Sequence, residues 1–399
     1  MHYSLTFPQS TSTRQRSPVF SPCFHTSRPS ISLNCSCAHC NVYSFEAELT
    51  TVSVPFTERI AMWLLDTARA ELHFFSDPSA VPGGYAILSH TWKGQEQSYK
   101  EVRDICKDCG KDKNPRDYVS KKIRDFCTVA ERDGYRWAWV DMCCIDKESS
   151  TELSEAINSM FNWYLLSEVC YAFLEDVHKD DDHYAPGSEF RNARWHTRGW
   201  TLQELLAPAL VVFMSVEWEP IGTKHELCHP IHKSTGIHKS LLTREKSIFK
   251  APIAERMSWA ARRETTRVED EAYCLLGIFN INMPTIYGEG RKAFQRLQQE
   301  LAKQYLDTTL FAWGISHKHG HERLSAVSLP KMWSGFHSPT HHERFLFANS
   351  PKDYIGPTSY YTPELGDAAV LQPYMPSQWS SRVSHEHSRA DSSLNCAFS

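Results

Sequence analysis

The chain has 399 residues, of which 41% are hydrophobic and 12% aromatic, so it is long enough to bury a large core. Its formal net charge of −4 excludes a general nucleic-acid binder, because such proteins carry a basic surface. No apolar run approaches the ~20 residues that cross a bilayer, so the sequence predicts no transmembrane segment.

The cysteines indicate a reducing compartment. There are 13 of them, an odd number, and several lie within apolar, strand-like runs. Buried free thiols explain this pattern better than a disulfide framework does. We therefore expect a cytoplasmic protein. The cysteines in apolar runs are Cys143, Cys144, Cys170 and Cys274.

Composition divides the chain into four parts. Residues 1–61 are rich in Ser, Thr and Pro, which predicts a disordered extension. Residues 62–249 have the pattern of an α/β domain, and residues 250–315 form a helical part of the same globular unit. Residues 316–399 are of low complexity, and a largely disordered tail is predicted there. A mitochondrial transit peptide is disfavoured, because the prolines of the extension interrupt an amphipathic helix. An internal translation start at Met62 is the remaining alternative.

A cysteine cluster in the extension suggests zinc at first sight. Structural zinc sites need four ligands in pairs of defined spacing, whereas one half of this set lies in the predicted disordered extension. We therefore predict no metal site. The ligands considered are Cys35, Cys37, His39, Cys40, Cys106 and Cys109.

Short apolar strands alternate with helices along the α/β part. After a hairpin within residues 62–75, strands are predicted over residues 85–89, 137–141, 169–174 and 210–214. The helices between them include residues 121–132 and a helix that Ser149 and Glu152 cap. This alternation predicts a doubly wound, mostly parallel sheet of flavodoxin-like order with helices on both faces.

The helical part begins after residue 250. Helices are predicted over residues 253–262 and 268–278, the second ending at Asn280, and a long amphipathic helix opens at Gly288. A phosphate cradle at Gly288 is disfavoured, because the full P-loop pattern is missing.

Residues 194–206 form an aromatic and basic loop that leads into a helix. Thr201 can cap this helix, and Glu204, three residues later, can return a hydrogen bond to the backbone of Thr201. The alternative is that Glu204 takes part in chemistry. The residues alone leave both roles open.

Three blocks, in this order, resemble the fungal heterokaryon incompatibility (HET) domain. They are YAILSHTW (85–92), WVDMCCID (139–146) and RGWTLQE (198–204). Residues 152–160, 256–260 and 287–290 are also similar to that family, so the resemblance covers residues 62–313 and neither tail. The nucleotide-binding and repeat domains of some larger members are not recognisable.

The resemblance implies a role in fungal nonself recognition and programmed cell death. HET domains are considered remote relatives of Toll/interleukin-receptor (TIR) domains, which have a flavodoxin-like fold. Some TIR domains cleave NAD with a Glu on the helix after the third strand, and Glu204 is similar in position to that residue. The resemblance therefore makes Glu204 the candidate catalytic residue and NAD a candidate substrate, with no bound cofactor.

The polar strand ends complete this candidate site. Ser89, His90 and Trp92 follow one predicted strand, and Asp141 and Asp146 follow the next, at the edge where such sheets bind ligands. Trp92 can stack on adenine or nicotinamide, and Asp141 can bind ribose hydroxyls. The alternative places His90 in a strand-end hydrogen bond and Trp92 over the core. Trp200 is a further candidate binding residue.

Two functions from different classes follow. The chain is either a HET-domain protein that assembles with protein partners, including copies of itself, or an NAD glycohydrolase that acts through Glu204. An inactive family copy is the third alternative.

Overall fold

A seven-stranded mixed sheet organises the part of the chain that the structure describes. The structure is a computed structural model, and it describes residues 61–313 and 347–355. The order across the sheet is β2-β1-β4-β3-β5-β6-β7. In chain order the strands are β1 (Met62–Asp66), β2 (Leu72–Phe75), β3 (Ala86–His90), β4 (Trp137–Trp139), β5 (Val169–Phe173), β6 (Val211–Met214) and β7 (Pro220–Thr223).

The centre of the sheet is parallel and both of its sides are antiparallel. β3 pairs in parallel with β4 and β5, and β5 pairs in parallel with β6. The β1–β2 hairpin joins β4 in the antiparallel sense, and β7 returns antiparallel to β6. The predicted α/β class is confirmed, whereas the sheet is mixed rather than mostly parallel. Strands joined by a short turn pair antiparallel, because a parallel connection needs a long crossover.

Eleven α-helices surround the sheet within the described ranges. They are α1 (Tyr99–Asp108), α2 (Lys121–Arg132), α3 (Ser150–Leu166), α4 (Glu189–Asn192), α5 (Thr201–Leu206), α6 (Cys228–Thr235), α7 (Lys239–Leu242), α8 (Ile253–Ala260), α9 (Asp270–Tyr273), α10 (Leu276–Phe279) and α11 (Lys292–Gln304). Short 3₁₀-helices cover Pro78–Ala80, Pro115–Asp117, Arg194–Thr197, Ile248–Lys250, Thr308–Phe311 and Pro351–Tyr354.

The predicted elements agree with the structure where a strong local pattern exists. α2 has the predicted bounds, because its buried residues repeat at helical spacing. The helix predicted over residues 268–278 is divided into α9 and α10, and Asn280 ends α10 in the left-handed conformation. The prediction missed α1, although Ser98 and Glu101 form a complete capping box at its start.

Helices cover both faces of the sheet. On β5, the Tyr171 ring lies 6.1 Å from the ring of Phe126, which belongs to α2. The next residue towards the amino end, Cys170, points to the other face, where its Sγ lies 3.9 Å from the carbonyl of Glu204 in α5. Neighbouring strand residues face opposite sides, so these two contacts place α2 and α5 on opposite faces.

The helical part packs on α3 and shares one hydrophobic core with the sheet. Asn158 donates to the carbonyl of Met283 at 3.2 Å and accepts from its amide at 3.1 Å. A Cβ atom at Gly277 would lie only 2.0 Å from the Cβ of Phe161, so α10 approaches α3 too closely for any other residue. The core therefore continues from the α/β part into the helical part.

Residues 347–355 belong to the predicted tail, yet they pack against α8 and α11. The segment is short and mixes apolar with polar residues, so no periodic pattern marks it as structured. The predicted extension, apart from residue 61, and the zinc ligands within it lie outside the described residues.

Candidate functional site

Ser89 and Glu204 meet at the carboxyl end of β3. Ser89 is the penultimate residue of β3, and its hydroxyl donates a hydrogen bond to Oε2 of Glu204. The Trp195 indole N–H donates to the same Ser89 oxygen at 2.7 Å. Both members of the pair are buried, with Glu204 only 6% exposed. The predicted catalytic carboxyl and the first predicted binding residue are therefore direct neighbours.

Burial changes the acidity of Glu204. All six residues of α5 are buried, and this desolvation raises the pKa of Glu204 from its ordinary 4.5 to about 8. Hydrogen bonds with Ser89 and Tyr164 offset part of the rise, whereas the charge of Asp141 adds to it. A carboxyl with this pKa carries a proton at neutral pH in the structure as it stands.

The capping role predicted as the alternative for Glu204 is wrong. The cap position of α5 is Trp200, and it makes no side-chain capping bond. Thr201 lies inside the helix, where its hydroxyl donates to the carbonyls of Trp195 at 2.5 Å and Arg198 at 2.9 Å. The carboxyl of Glu204 points to β3, because the helix lies on the sheet with this face buried.

Arg263 holds the loop that leads into α5, and sequence reasoning missed it. Its guanidinium donates to the carbonyl of Arg198 at 2.8 Å and to the hydroxyl of Thr201 at 2.9 Å. Burial lowers the pKa of Arg263 to about 10, and the neighbouring Cys274 and Glu204 oppose this shift. The sequence carries no signal for this role, because Arg262-Arg263 is an ordinary basic pair at the end of the predicted helix 253–262.

A second group of predicted residues lies at the exposed edge of β3 and β4. The Trp92 indole N–H donates to Asp141 at 2.8 Å, and the other carboxylate oxygen lies 3.7 Å from Nδ1 of His90. Lys147 places its Nζ 3.8 Å from the centroid of the Trp92 ring, within range of a cation–π interaction. Trp92 is 45% exposed, so this edge is accessible to a ligand.

His90 is neutral in this environment. Burial lowers the pKa of His90 to about 4, although the nearby charge of Asp141 opposes that shift. Its Nε2 atom and the Oδ1 atom of Asp141 are buried and make no hydrogen bond. The strand-end hydrogen bond predicted as the alternative for His90 is therefore not formed at Nε2.

Asp146 and Trp200 are placed elsewhere. The Asp146 side chain accepts from the amide of Glu148 at 3.1 Å, in the turn that precedes α3. Trp200 forms a side-chain hydrogen bond with Asp270, in α9 of the helical part. The structure thus joins Ser89 to Glu204, and His90 and Trp92 to Asp141, but neither Asp146 nor Trp200 to these two groups.

Arg194 connects the ends of β3 and β5. The sequence placed this residue in an aromatic and basic loop but did not predict its hydrogen bonds to the strand ends. Its guanidinium donates to the Thr91 hydroxyl at 2.9 Å, the Trp92 carbonyl at 3.3 Å and the Glu175 carboxylate at 2.6 Å. These bonds fix the 3₁₀-helix Arg194–Thr197 on the carboxyl ends of β3 and β5. Trp195 is thereby positioned over Ser89.

The loop at Gly288 already holds an anionic group. The amides of Gly288 and Gly290 donate to Oε1 of Glu269 at 2.8 and 3.0 Å. This internal carboxylate occupies the place that a phosphate would take in a cradle of backbone amides. Through these two hydrogen bonds the loop is joined to the residue that precedes α9.

Metal and membrane binding can be assessed over residues 61–313 and 347–355. Within these ranges, no three His, Cys, Asp or Glu side chains are grouped to hold a metal ion. No helix in the same ranges combines the length and apolar character needed to cross a membrane.

These observations define an α/β domain whose parallel centre ends in a polar edge, with a buried Ser–Glu pair behind it. Residues 85–187 match the family described as Heterokaryon incompatibility protein (HET), and residues 292–372 match one described as Domain of unknown function (DUF8212). The similarity to the HET domain that the three sequence blocks predicted is thus confirmed over residues 85–187.

A curated relative agrees with this assignment. The chain is 46% identical over 234 residues to Vegetative incompatibility protein HET-E-1 of Podospora anserina. The matched part is 57% of this chain, but it spans only 17% of that relative. No solved structure matches the chain significantly.

Proposed function

We propose that this chain acts in vegetative incompatibility, where it signals or executes cell death after recognition of nonself. The observation that carries the proposal is the 46% identity to a vegetative incompatibility protein. The matched relative is much longer than the aligned part, so the shared function is assigned to the HET domain itself. We place the protein in the cytoplasm, acting through contacts with protein partners or with further copies of itself.

The strand order supports a TIR-like arrangement within this proposal. Numbered among themselves, the four parallel strands β3, β4, β5 and β6 have the spatial order 2-1-3-4. This is the beginning of the flavodoxin-like order. A doubly wound centre of this kind places the loops after β3, β4 and β5 on one edge, where the polar groups lie.

The test of the recognition function is expression of the full chain in fungal cells. Induced expression is expected to reduce viability, and an Arg194→Ala variant is expected to do so less, because Arg194 fixes the strand-end loops. Arg262→Ala changes an exposed residue of the same type and serves as the matched control. Undiminished viability with the wild-type chain at full expression contradicts the proposal.

NAD hydrolysis through Glu204 is a second candidate function. It is supported by the hydrogen bond between Ser89 and Glu204 behind the exposed edge formed by Trp92 and Asp141. An ionised carboxylate would stabilise the positive charge that develops on the ribose as nicotinamide leaves. Trp92 would stack on a ring of the dinucleotide, and Asp141 would accept from ribose hydroxyls.

The burial of Glu204 makes this second function latent. With a pKa of about 8 the carboxyl is protonated at neutral pH and cannot stabilise a cation. Ser89 is also fully buried, so substrate reaches the pair only after the covering residues move. Movement that admits water lowers the pKa of Glu204 and restores its charge. Assembly with a partner is the event that would supply this movement.

The enzymatic candidate is tested by nicotinamide release from NAD. The wild-type chain, held as an oligomer through a fused coiled coil, is expected to release nicotinamide, and Glu204→Gln is expected to abolish release. Glu148→Gln, at an exposed position, is the control and should leave the rate unchanged. Cell death without nicotinamide release would retain the recognition function and exclude the enzymatic one.

A further inference from the structure

Residues 347–355, which we name the strap, lie in a groove on the helical part of the molecule. α8, α11 and the 3₁₀-helix Thr308–Phe311 form this groove. The strap residues Ala348, Ser350 and Tyr354 are buried in it, and Tyr354 is completely covered. The strap thus buries an aromatic anchor side chain although it is short.

The backbone of Ala348 and the side chain of Tyr354 hold the strap in the groove. Gln298 of α11 is completely buried, and its amide donates to the Ala348 carbonyl at 2.9 Å while its oxygen accepts from the Ala348 amide at 2.9 Å. The Tyr354 hydroxyl donates to the carbonyl of Leu310 at 2.5 Å. The groove therefore recognises one peptide unit and one aromatic side chain, as peptide-binding grooves do.

The strap holds its own bound conformation. Ser350 and Asp353 form a complete capping box around the turn Pro351–Tyr354, and Pro351 fixes the first backbone angle of that turn. A segment with such local bonds loses less conformational entropy when it docks than an unstructured peptide does. These features are typical of a peptide that binds as a unit.

The docked strap also closes a small cavity beside the loop that leads into α5. Pro351 and Lys352 form one wall of this cavity of about 10 Å³, and Gly199, Arg263 and Cys274 form the others. Gly199 donates its amide to the carbonyl of Glu264 at 2.9 Å, which ties the loop to the chain segment after α8. The strap therefore lines the same cavity as Arg263 and this loop.

We propose that the strap is a releasable peptide bound within its own chain, and that its docking stabilises the loop at Gly199. α11, the 3₁₀-helix Thr308–Phe311 and the strap all lie within the matched residues 292–372, whereas α8 lies outside them. Release exposes Arg263 to water and loosens the segment that precedes Glu204. The inference rests on contacts and is independent of the proposed function.

Hydrogen exchange of the full chain tests the proposal. Tyr354→Ala removes the anchor, and Ala348→Pro removes the amide that bonds to Gln298. Both changes lie in the strap and leave the rest of the core unaltered. We expect exchange to accelerate by about a hundredfold or more in the strap, because truncating a buried aromatic residue loses most of its packing. The amides of Gly199 and Glu264 are expected to exchange faster as well, while the amides of the central strands β3 and β5 remain protected.

The matched control is Ile355→Ala, which removes apolar surface from a half-exposed strap residue. It should leave exchange at Gly199 and Glu264 unchanged. A synthetic peptide with the sequence of residues 347–355, added to the Tyr354→Ala chain, should restore protection, whereas the same peptide with Tyr354→Ala should not. Unfolding of the whole domain by Tyr354→Ala, a free strap with unchanged exchange at Gly199, or no rescue by saturating peptide would each overturn the proposal.

Discussion

Two covered glutamates, one in each part of the molecule, have opposite acidities. Glu204 lies deep against the sheet with hydroxyl contacts alone, and burial raises its pKa to about 8. Glu269 is covered by its neighbours but lies close to the molecular surface. Burial alone would raise its pKa, but backbone N–H bonds, including those from Gly288 and Gly290, outweigh this effect and lower it.

The comparison separates a structural carboxylate from a reactive one. Backbone amides aimed at Glu269 stabilise its charge, so it serves as a permanent anion that closes a loop. Glu204 lacks such donors and therefore retains its proton near neutral pH. A group that can exchange a proton in this range is suited to acid–base or electrostatic chemistry, whereas Glu269 is not.

Glu204 is expected to produce the largest pH effect on stability. Its folded pKa of about 8 exceeds the ordinary 4.5, so its contribution is fully present below pH 4.5 and is lost as the pH rises through 8. The change amounts to a few kcal/mol, at ~1.4 kcal/mol for each unit of pKa shift. Urea unfolding of the wild type and Glu204→Gln across this range measures it.

The variant should lack this part of the pH dependence, while the exposed-site control Glu148→Gln should retain it. An identical pH dependence of wild type and Glu204→Gln would show that Glu204 ionises normally. The contrast with Glu269 would then disappear.

Ser89→Ala is expected to have the second largest effect. It removes the donor to Glu204 and leaves the Trp195 indole N–H without its acceptor, at a cost of about 1–3 kcal/mol. Because the Ser89 bond lowers the pKa of Glu204, its loss moves the upper end of the pH window above 8. Unfolding curves as a function of pH measure both changes.

Ser167→Ala is the matched control, since Ser167 is buried and donates to the carbonyl of Tyr164 at 2.8 Å. It should cost a hydrogen bond without moving the pH window. A shift of equal size in both variants would contradict the role assigned to Ser89.

Glu269→Gln should have the smallest effect and the opposite pH dependence. The lowered pKa means that Glu269 stabilises the fold above its ordinary pKa of 4.5 and loses this contribution as the pH falls. We expect a loss of about 1 kcal/mol at neutral pH, because a neutral amide accepts weaker bonds from Gly288 and Gly290. The unfolding free energies of variant and wild type should converge in acid. A loss that is the same in acid as at neutral pH would be inconsistent with stabilisation by charge.

The secondary structure of this protein could be predicted where residues close together in the sequence determine it. The hairpin of β1 and β2, the bounds of α2 and the end of α10 at Asn280 all follow from side-chain periodicity or from a single conformational preference. The proximity of Ser89 and Glu204 was also predicted, because carboxyl ends of parallel strands share one edge. The capping role predicted as the alternative for Glu204 was wrong, since the same Thr-x-x-Glu spacing fits both a cap and a buried helix face.

The sequence by itself determined the α/β class, the similarity to the HET domain, and the proximity of Ser89 to Glu204 and of His90 and Trp92 to Asp141. Tertiary structure decided the burial of Glu204, the support of its loop by Arg263 and the docking of residues 347–355. Each of these depends on contacts between segments far apart in the chain, and neither spacing nor composition records such contacts. Burial is the main cause of the raised pKa of Glu204, and this burial arises only when the chain folds around the side chain.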